Sequence, residues 1–193
     1  MSIKSFITKT IIKFIPDSIK SELQKLPDGT VLGYSQEGED MLLARFFEGT
    51  EKGFFVDIGA HHPIRFSNTY HFYKNGWRGI NIDATPGSME PFKVLRPEDI
   101  NIEVGISVNE GNLTYYLFEE PALNTFSEER VKFLTEQTPF KLKKTVTVRT
   151  KTLAQILDEN ISDEKKIDFL SIDIEGLDFE ILQTNNWNKY CRS

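Results

Sequence analysis

The chain has 193 residues, 39% of them hydrophobic and 27% charged, and a formal net charge of −6. These values indicate a globular protein with a sizeable core, and the negative charge argues against a nucleic-acid-binding protein, which would carry a basic patch. No segment approaches the roughly 20 apolar residues of a membrane span, and the single Cys191 excludes an intrachain disulfide framework. We therefore expect a cytoplasmic protein.

The first 33 residues are predicted to form an amphipathic helical segment and a linker. Apolar residues recur at helical spacing between lysines over residues 3–15. Such a helix can make weak contact with an anionic membrane surface, or it can pack on its own domain or on a partner chain, and packing is the preferred interpretation. Turn-forming residues then lead into the main domain, residues 34–193.

A helix is predicted to begin within residues 35–40. Ser35 can cap this helix, and acidic residues in its first turns suit the helix dipole. Gln36 and Glu39 are polar groups that can reach over a ligand from this position. The predicted buried face consists of Leu42, Leu43, Phe46 and Phe47.

The apolar run over residues 54–58 indicates a buried strand that ends abruptly at Gly59. Because glycine has no Cβ, the chain can turn sharply there and a ligand can approach the backbone. A helix capped by Ser67 or Asn68 and ending at residues 75–76 follows. Strand, glycine turn and helix together predict a cradle at the carboxyl end of a strand, where open α/β sheets bind nucleotides.

A second strand is predicted over residues 79–83, with Asp83 at its carboxyl end. In nucleotide-binding α/β folds, an acidic residue at this position accepts hydrogen bonds from ribose hydroxyls. Asp83 is therefore a candidate ribose ligand, and the alternative is an aspartate that only initiates the next helix.

The middle of the chain is predicted to alternate between helices and strands. A helix over residues 88–95 precedes a third strand over 100–107, and the turn at 109–112 favours a hairpin with residues 113–118. Further predicted elements are a helix that opens with the capping spacing of 125–128, a strand over 145–149 and a helix that begins at Thr152.

The strand predicted over residues 167–174 is apolar on both faces, which suits a central parallel strand. Asp173 lies near its carboxyl end and Glu175 follows two residues later, so both would stand beside Gly59 if this strand adjoins the first one. Two carboxylates that share one face of a strand can repel each other and so raise the pKa of one of them, and the alternative is a pair of solvated acids at a strand–helix junction.

The strand count leads to an expectation about the whole chain. Only four strands look parallel, and no strand follows the helix that begins near Leu177. We therefore expect a fragment, or an oligomer in which another chain covers the edge beside residues 167–174. Such a chain on its own would be poorly stable or self-associating.

Four stretches together resemble the FkbM-type methyltransferases: residues 35–40, 56–60, 79–83 and 168–176. The resemblance covers residues 34–187. It implies an α/β fold, a Rossmann-like class I methyltransferase sheet with helices on both faces that here lacks its C-terminal strands. It also implies S-adenosyl-L-methionine as cofactor and a sugar, a glycan or another small molecule as the acceptor for O-methylation.

The resemblance also implies roles for individual residues. Asp57 and Gly59 would contact the methionine portion of the cofactor, and Asp83 its ribose. Ala60, His61 and Ser107 complete the predicted cofactor contacts. The sequence departs from the family pattern in the loop that follows Gly59, which lacks a second glycine, and at Ser171, where a lysine is common.

The expected chemistry is in-line transfer of a methyl group from sulfonium to an acceptor oxygen. The protein's main task is then to align the two reactants, and a general base can remove the acceptor proton. The candidates for this base are Asp173, Glu175 and His62, in that order.

Three other functions remain as alternatives. A dinucleotide-dependent oxidoreductase would need glycine in place of His61 and Ile64. A metal hydrolase could recruit the histidines of this loop, but adjacent histidines lack the spacing of a recognised ligand motif, so no metal site is predicted. A truncated or degenerate domain could bind a nucleoside or a partner without turnover.

Overall fold

The structure is a computed structural model that describes residues 32–162, 165–174, 178–183, 185 and 187–190. The elements below all lie in one compact unit, Gly33–Ser193. The predicted N-terminal helix, Glu175 and Cys191 lie outside the described residues. Among the described residues, no helix combines the length and the apolar character that crossing a membrane requires.

The described elements follow each other in the alternating order of an α/β protein. The strands are β1 Phe54–Ile58, β2 Arg78–Asp83, β3 Ile100–Glu103, β4 Gly105–Ile106, β5 Gly111–Phe118, β6 Leu142–Lys151 and β7 Phe169–Ile172. The helices are α1 Glu39–Phe46, α2 Tyr70–Lys74, α3 Met89–Leu95, α4 Glu128–Gln137, α5 Leu153–Asn160, α6 Asp178–Gln183 and α7 Trp187–Tyr190, with a 3₁₀ helix at Pro121–Leu123.

The central sheet is parallel and has the strand order β3-β2-β1-β7. Every residue of β1 is buried, as expected for a parallel strand that is covered on both faces. The predicted α/β fold and the buried strand at 54–58 are therefore confirmed. The register places Ile58 beside Ile82 on one side and Ile172 on the other, so three strands end together at one edge of the sheet.

A second sheet, of order β4-β6-β5, differs from the sequence prediction. The predicted third strand over 100–107 divides at Val104, whose N–H donates to Asp83 O, and the chain then pairs with β6 through Gly105 and Ile106. The predicted hairpin with residues 113–118 is wrong, because β5 pairs antiparallel with β6 instead. Alternation of apolar and polar residues predicts a strand, but it does not identify the strand with which it pairs. Strand β6 is long enough to pair with β4 on one side and with β5 on the other.

Helix α1 also differs in part from the prediction. It begins at Glu39, and Ser35 Oγ accepts hydrogen bonds from the N–H groups ahead of it and within its first turn. Leu43 and Phe47 pack against a cluster of aromatic residues on the sheet, whereas Leu42 and Phe46 are 73% and 81% exposed. Only one of two neighbouring i,i+4 stripes can face the sheet, so half of the predicted buried face is wrong.

Strand β7 lies at the edge of the described sheet, where β1 is its neighbour on one side. The strand count predicts that this chain leaves the edge beside residues 167–174 uncovered, and the described part of the chain shows such an edge. Its Phe169 is buried and its ring stacks on that of Phe55, while Leu170 and Ile172 are partly buried against the main core. These contacts explain the apolar character of a strand at the edge.

Candidate functional site

A cavity of about 520 Å³ lies at the carboxyl ends of β1, β2 and β7. The segment that precedes α1 and the first residue of that helix line it on one side, with Gln36 and Glu39 among the lining residues, as expected from the sequence. Residues of β5, the 3₁₀ helix and α4 line another side. The parallel sheet thus supplies the floor of the cavity, and the second sheet with its connections supplies a wall.

Gly59 turns the chain at the end of β1 with φ +81°. A Cβ atom at this position would lie 2.0 Å from the carbonyl oxygen of Asp173, so the neighbouring chain alone requires glycine here. Asp173 N–H donates to Ile58 O, and the N–H groups of Gly59 and Ala60 both donate to Ile82 O. Close approach of a ligand, the reason inferred from the sequence, is therefore not the only constraint at Gly59, because the backbone at Asp173 also requires a glycine there.

Asp57 is buried and lines the floor of the cavity. Its Oδ2 accepts a 2.7 Å hydrogen bond from Thr69 Oγ1. Burial raises the pKa of Asp57, while hydrogen bonds from Thr69 and Ser171 and the charge of Arg96 oppose this rise. A buried carboxylate that the protein stabilises only in part can bind a cationic group of a ligand.

Asp83 lies at the end of β2, as predicted, and lines the cavity. Its Oδ2 accepts a hydrogen bond from His61 N–H and its Oδ1 one from Thr85 N–H, at 2.9 and 2.7 Å. Asp83 therefore holds the chain on both sides of the cavity floor. Each carboxylate oxygen can accept more than one hydrogen bond, so this role leaves capacity for a ligand hydroxyl.

The two adjacent histidines differ in position. His61 lines the cavity in a left-handed conformation with φ +53°, and burial lowers its pKa. His62 does not line the cavity, and its Nδ1 accepts hydrogen bonds from Ile64 N–H and Arg65 N–H. Burial lowers the pKa of His62 as well. This ring thus stabilises the loop through its unprotonated nitrogen.

Of the two predicted acidic candidates, Asp173 lies at the cavity beside the Gly59 turn. Although much of the residue is exposed, partial desolvation and the charges of Asp178 and Glu39 raise the pKa of Asp173. The expectation that this strand adjoins the first one is confirmed. Glu175 lies outside the described residues.

The remaining predicted cofactor residues fall in different places. Ala60 is buried and lines the cavity. Ser107 does not line it, and its N–H donates to Lys151 O in the second sheet. Ile106 lines the cavity instead, because the break before β4 turns the chain away from the parallel sheet.

Several residues of the site were not singled out from the sequence. Asn68 and Ser171 both line the cavity, and Asn68 Nδ2 donates to Ser171 Oγ at 3.0 Å. The cluster of hydroxyl and amide residues at 67–69 was the available signal, but it was interpreted only as a helix cap. The wall residues depend on long-range pairing, which the sequence did not reveal: Tyr115, Glu120, Asn124, Phe126, Arg130 and Phe140.

Negative charge predominates in the cavity. Its described lining contains six carboxylates, together with the cation of Arg130 and the imidazole of His61. The carboxylates are Glu37, Glu39, Asp57, Asp83, Glu120 and Asp173. Such a lining favours a ligand that carries positive charge and disfavours one that carries several phosphates. Among the described residues, no group of three or more His, Cys, Asp or Glu side chains could hold a metal ion.

Comparison with known proteins identifies the family. The family model of the methyltransferase FkbM domain matches residues 57–192, more than two thirds of the chain. Searches of curated proteins and of solved structures found no match. The match begins at Asp57 on the floor of the cavity and includes the last two residues of β1 together with β2 and β7. The chain belongs to the methyltransferase FkbM domain family.

Proposed function

We propose that this protein is an S-adenosyl-L-methionine-dependent methyltransferase that methylates a hydroxyl group of a sugar, a glycan or another small molecule. The observation that carries the proposal is an acidic cavity at the carboxyl ends of β1, β2 and β7 in a chain of this family. Open parallel sheets bind nucleosides at this edge.

The charge of the cavity fits this cofactor. When bound, S-adenosylmethionine supplies a methyl group that is activated by a positively charged sulfonium. The carboxylates of the lining attract such a cation, and the ammonium group of the methionine portion, whose charge is balanced by the adjacent carboxylate of the ligand, is a second cationic group that they can contact. A dinucleotide would instead bring a pyrophosphate toward these carboxylates, which argues against the oxidoreductase alternative.

Each residue of the cavity floor has its own proposed role in binding the cofactor. Asp57 and the Gly59–Ala60 turn would hold the methionine portion, and Asp83 would accept hydrogen bonds from the ribose. His61 would lie against the ligand with its imidazole neutral at pH 7, because burial lowers its pKa. These assignments combine the family resemblance with positions at the cavity.

Asp173 is the preferred general base. Its raised pKa makes its carboxylate a stronger proton acceptor than an ordinary aspartate, and it lies beside the floor of the cavity. His62 is the weaker candidate, since its Nδ1 already accepts two backbone hydrogen bonds and the residue does not line the cavity. Glu175 remains a candidate from the sequence.

The wall contributed by the second sheet suits a carbohydrate acceptor. It presents the aromatic rings of Tyr115, Phe126 and Phe140 together with polar groups of Asn124 and Glu120. Apolar surfaces with a few polar groups are typical of small-molecule sites, and a sugar offers both apolar ring faces and hydroxyls.

Turnover tests the proposal. Release of S-adenosylhomocysteine from S-adenosylmethionine would be measured with a panel of monosaccharides, methyl glycosides and nucleotide sugars. Activity is expected with at least one acceptor, and Asp173→Asn should lose turnover while keeping most of its affinity for S-adenosylhomocysteine. A parallel loss of both would assign Asp173 to the cofactor site. Cofactor binding without turnover on any acceptor would favour the non-catalytic alternative.

A further inference from the structure

Arg96 is buried beneath the site although no part of the proposed chemistry uses it. Its side chain is completely inaccessible to solvent. Its guanidinium lies within 5.5 Å of the ring centres of Phe55, Tyr73 and Phe92. Burial of a charge is costly unless the charge is paired and hydrogen-bonded, so the partners of Arg96 identify its role.

Arg96 connects two buried carboxylates. Its Nε donates to Asp99 Oδ2 at 2.9 Å, and its Nη1 donates to Thr69 Oγ1 at 3.0 Å. The Thr69 hydroxyl in turn donates to Asp57 Oδ2 at 2.7 Å. Asp99 is also held by Gly79 N–H.

The direction of these hydrogen bonds is fixed by their chemistry. A guanidinium can only donate, so Thr69 Oγ1 accepts from Arg96. The single hydroxyl hydrogen of Thr69 is then directed to the carboxylate of Asp57. A positively charged donor polarises this hydroxyl and strengthens its bond to the carboxylate.

The charges of this network do not balance. One guanidinium serves two carboxylates, Asp57 and Asp99, so one negative charge remains without a full counter-charge. The charged groups that face Asp57 are Arg96, which follows α3, and Asp173, which follows β7. Its other partners, Thr69 and Ser171, are neutral hydroxyls. Of the two carboxylates, Asp57 is the one that lines the cavity, so a cationic ligand can complete the balance there.

We propose that Arg96, acting through the hydroxyl of Thr69, is a positioning residue that keeps Asp57 oriented and ionised for a cationic group of the bound nucleoside. This inference rests on the proposed function, because it assumes that the cavity binds the cofactor. It assigns to Thr69 and Arg96 a role in ligand affinity that neither residue exerts by direct contact. Removal of the hydroxyl should make protonation of Asp57 easier, so the lost affinity should depend on pH.

Calorimetric titration with S-adenosylhomocysteine, which carries the ammonium group, tests this role at about pH 6 and about pH 8. Thr69→Val should lose about tenfold in affinity at the lower pH and less at the higher pH, because Asp57 without this hydroxyl is protonated more easily. Thr69→Ser restores the hydroxyl and should match the wild type at both pH values. Thr69→Ala, in which the site stays open, is the second variant in case the valine disturbs folding.

The outcomes separate this inference from the proposed function. A wild-type protein that binds no S-adenosylhomocysteine at either pH would refute the proposed function itself. A wild type that binds, with Thr69→Val or Thr69→Ala weakened equally at both pH values or not at all, would overturn only the positioning role. Circular dichroism of each variant verifies that the fold is retained.

Discussion

Asp57 illustrates a compromise between stability and ligand binding at the scale of one residue. Its carboxylate is buried at the cavity floor, and two hydroxyls and one shared guanidinium only partly offset the loss of water. Burial therefore raises its pKa above the ordinary value. The folded protein without ligand is destabilised once the pH rises through this pKa, because the charged form must then remain buried.

Asp57→Asn should accordingly stabilise the unliganded protein at neutral pH. The amide can still accept from Thr69, and each kcal/mol gained raises the melting temperature by about 2–4 °C for a chain of this size. The gain should shrink as the pH falls toward the ordinary aspartate pKa, because Asp57 is then protonated in the wild type. Thermal melting at several pH values measures this difference.

The matched control is Asp158→Asn. Asp158 accepts hydrogen bonds from Lys189 and Tyr190, which lower its pKa, so its replacement should give no gain at neutral pH. An Asp57→Asn variant that is less stable than the wild type at pH 7 would show that the hydrogen bonds to Asp57 and the charge of Arg96 fully offset the desolvation of its carboxylate.

Gly59 provides a second test at this scale. Gly59→Ala should be far more destabilising than a positive φ alone explains, because the new Cβ would collide with the carbonyl oxygen of Asp173. Gly76→Ala is the control: Gly76 also has a positive φ, +92°, but nothing lies within 4 Å of its Cβ position. The control should lose about 1–2 kcal/mol of unfolding free energy in chemical denaturation. Equal losses in the two variants would contradict the close approach of β7.

The sequence identified the site residues that follow strands and missed those that depend on packing. Asp83 and Asp173 could be found because each lies at the end of a recognisable apolar strand, and Asp57 was found through the family resemblance; all three line the cavity. Thr69 and Arg96 could not be found, since their importance comes from a contact between segments that are far apart in sequence. Their roles can be recognised only in the three-dimensional structure.

At the scale of elements, helix α1 shows how far periodicity can predict packing. Its apolar residues form two adjacent stripes, and the pattern alone does not say which stripe faces the sheet. The surroundings of Phe47 decide the question: its ring packs against those of Phe72, Trp77 and Phe169. The second sheet presents the same difficulty, because its strands were predicted and their pairing was not.

The last residue of α1, Phe46, and the residue that follows it, Phe47, allow a direct test of this packing. Phe47→Ala should lower the free energy of unfolding by about 2 kcal/mol, less than the roughly 3–5 kcal/mol of a fully buried ring, because Phe47 is partly buried. Phe46→Ala should change it by less than about 0.5 kcal/mol, since that ring is 81% exposed. Urea denaturation measures both values. A larger loss at Phe46 would contradict the described orientation of α1.

At the scale of the whole molecule, several predictions remain predictions. These are the cytoplasmic location, the domain boundary near residue 33, weak membrane contact through residues 3–15 and the absence of nucleic-acid binding. The number of parallel strands in the central sheet, four, was predicted and agrees with the described sheet, whereas the order of these strands was not predicted. Composition and net charge indicate a globular protein. Its location and its binding partners also depend on the cell, which the sequence does not describe.

The open edge of the described central sheet predicts self-association of the protein. Strand β7 has a described neighbour, β1, on one side only, and unpaired edges favour association between chains. Sedimentation velocity should therefore show concentration-dependent dimers or larger species. A monomer over the whole concentration range, with a sharp thermal transition, would contradict the expectation.

The most direct test of the central claim is calorimetric titration of the wild-type protein with S-adenosylhomocysteine, compared with Asp83→Ala and Glu103→Ala. Asp83 and Glu103 are neighbours in register at the ends of β2 and β3, but only Asp83 lines the cavity. A cofactor site with Asp83 at the ribose requires that the wild type binds S-adenosylhomocysteine and not NAD, that Asp83→Ala weakens binding by about 1–3 kcal/mol, and that Glu103→Ala leaves it unchanged. No binding by a folded wild type, or equal affinity in a folded Asp83→Ala variant, would contradict this assignment.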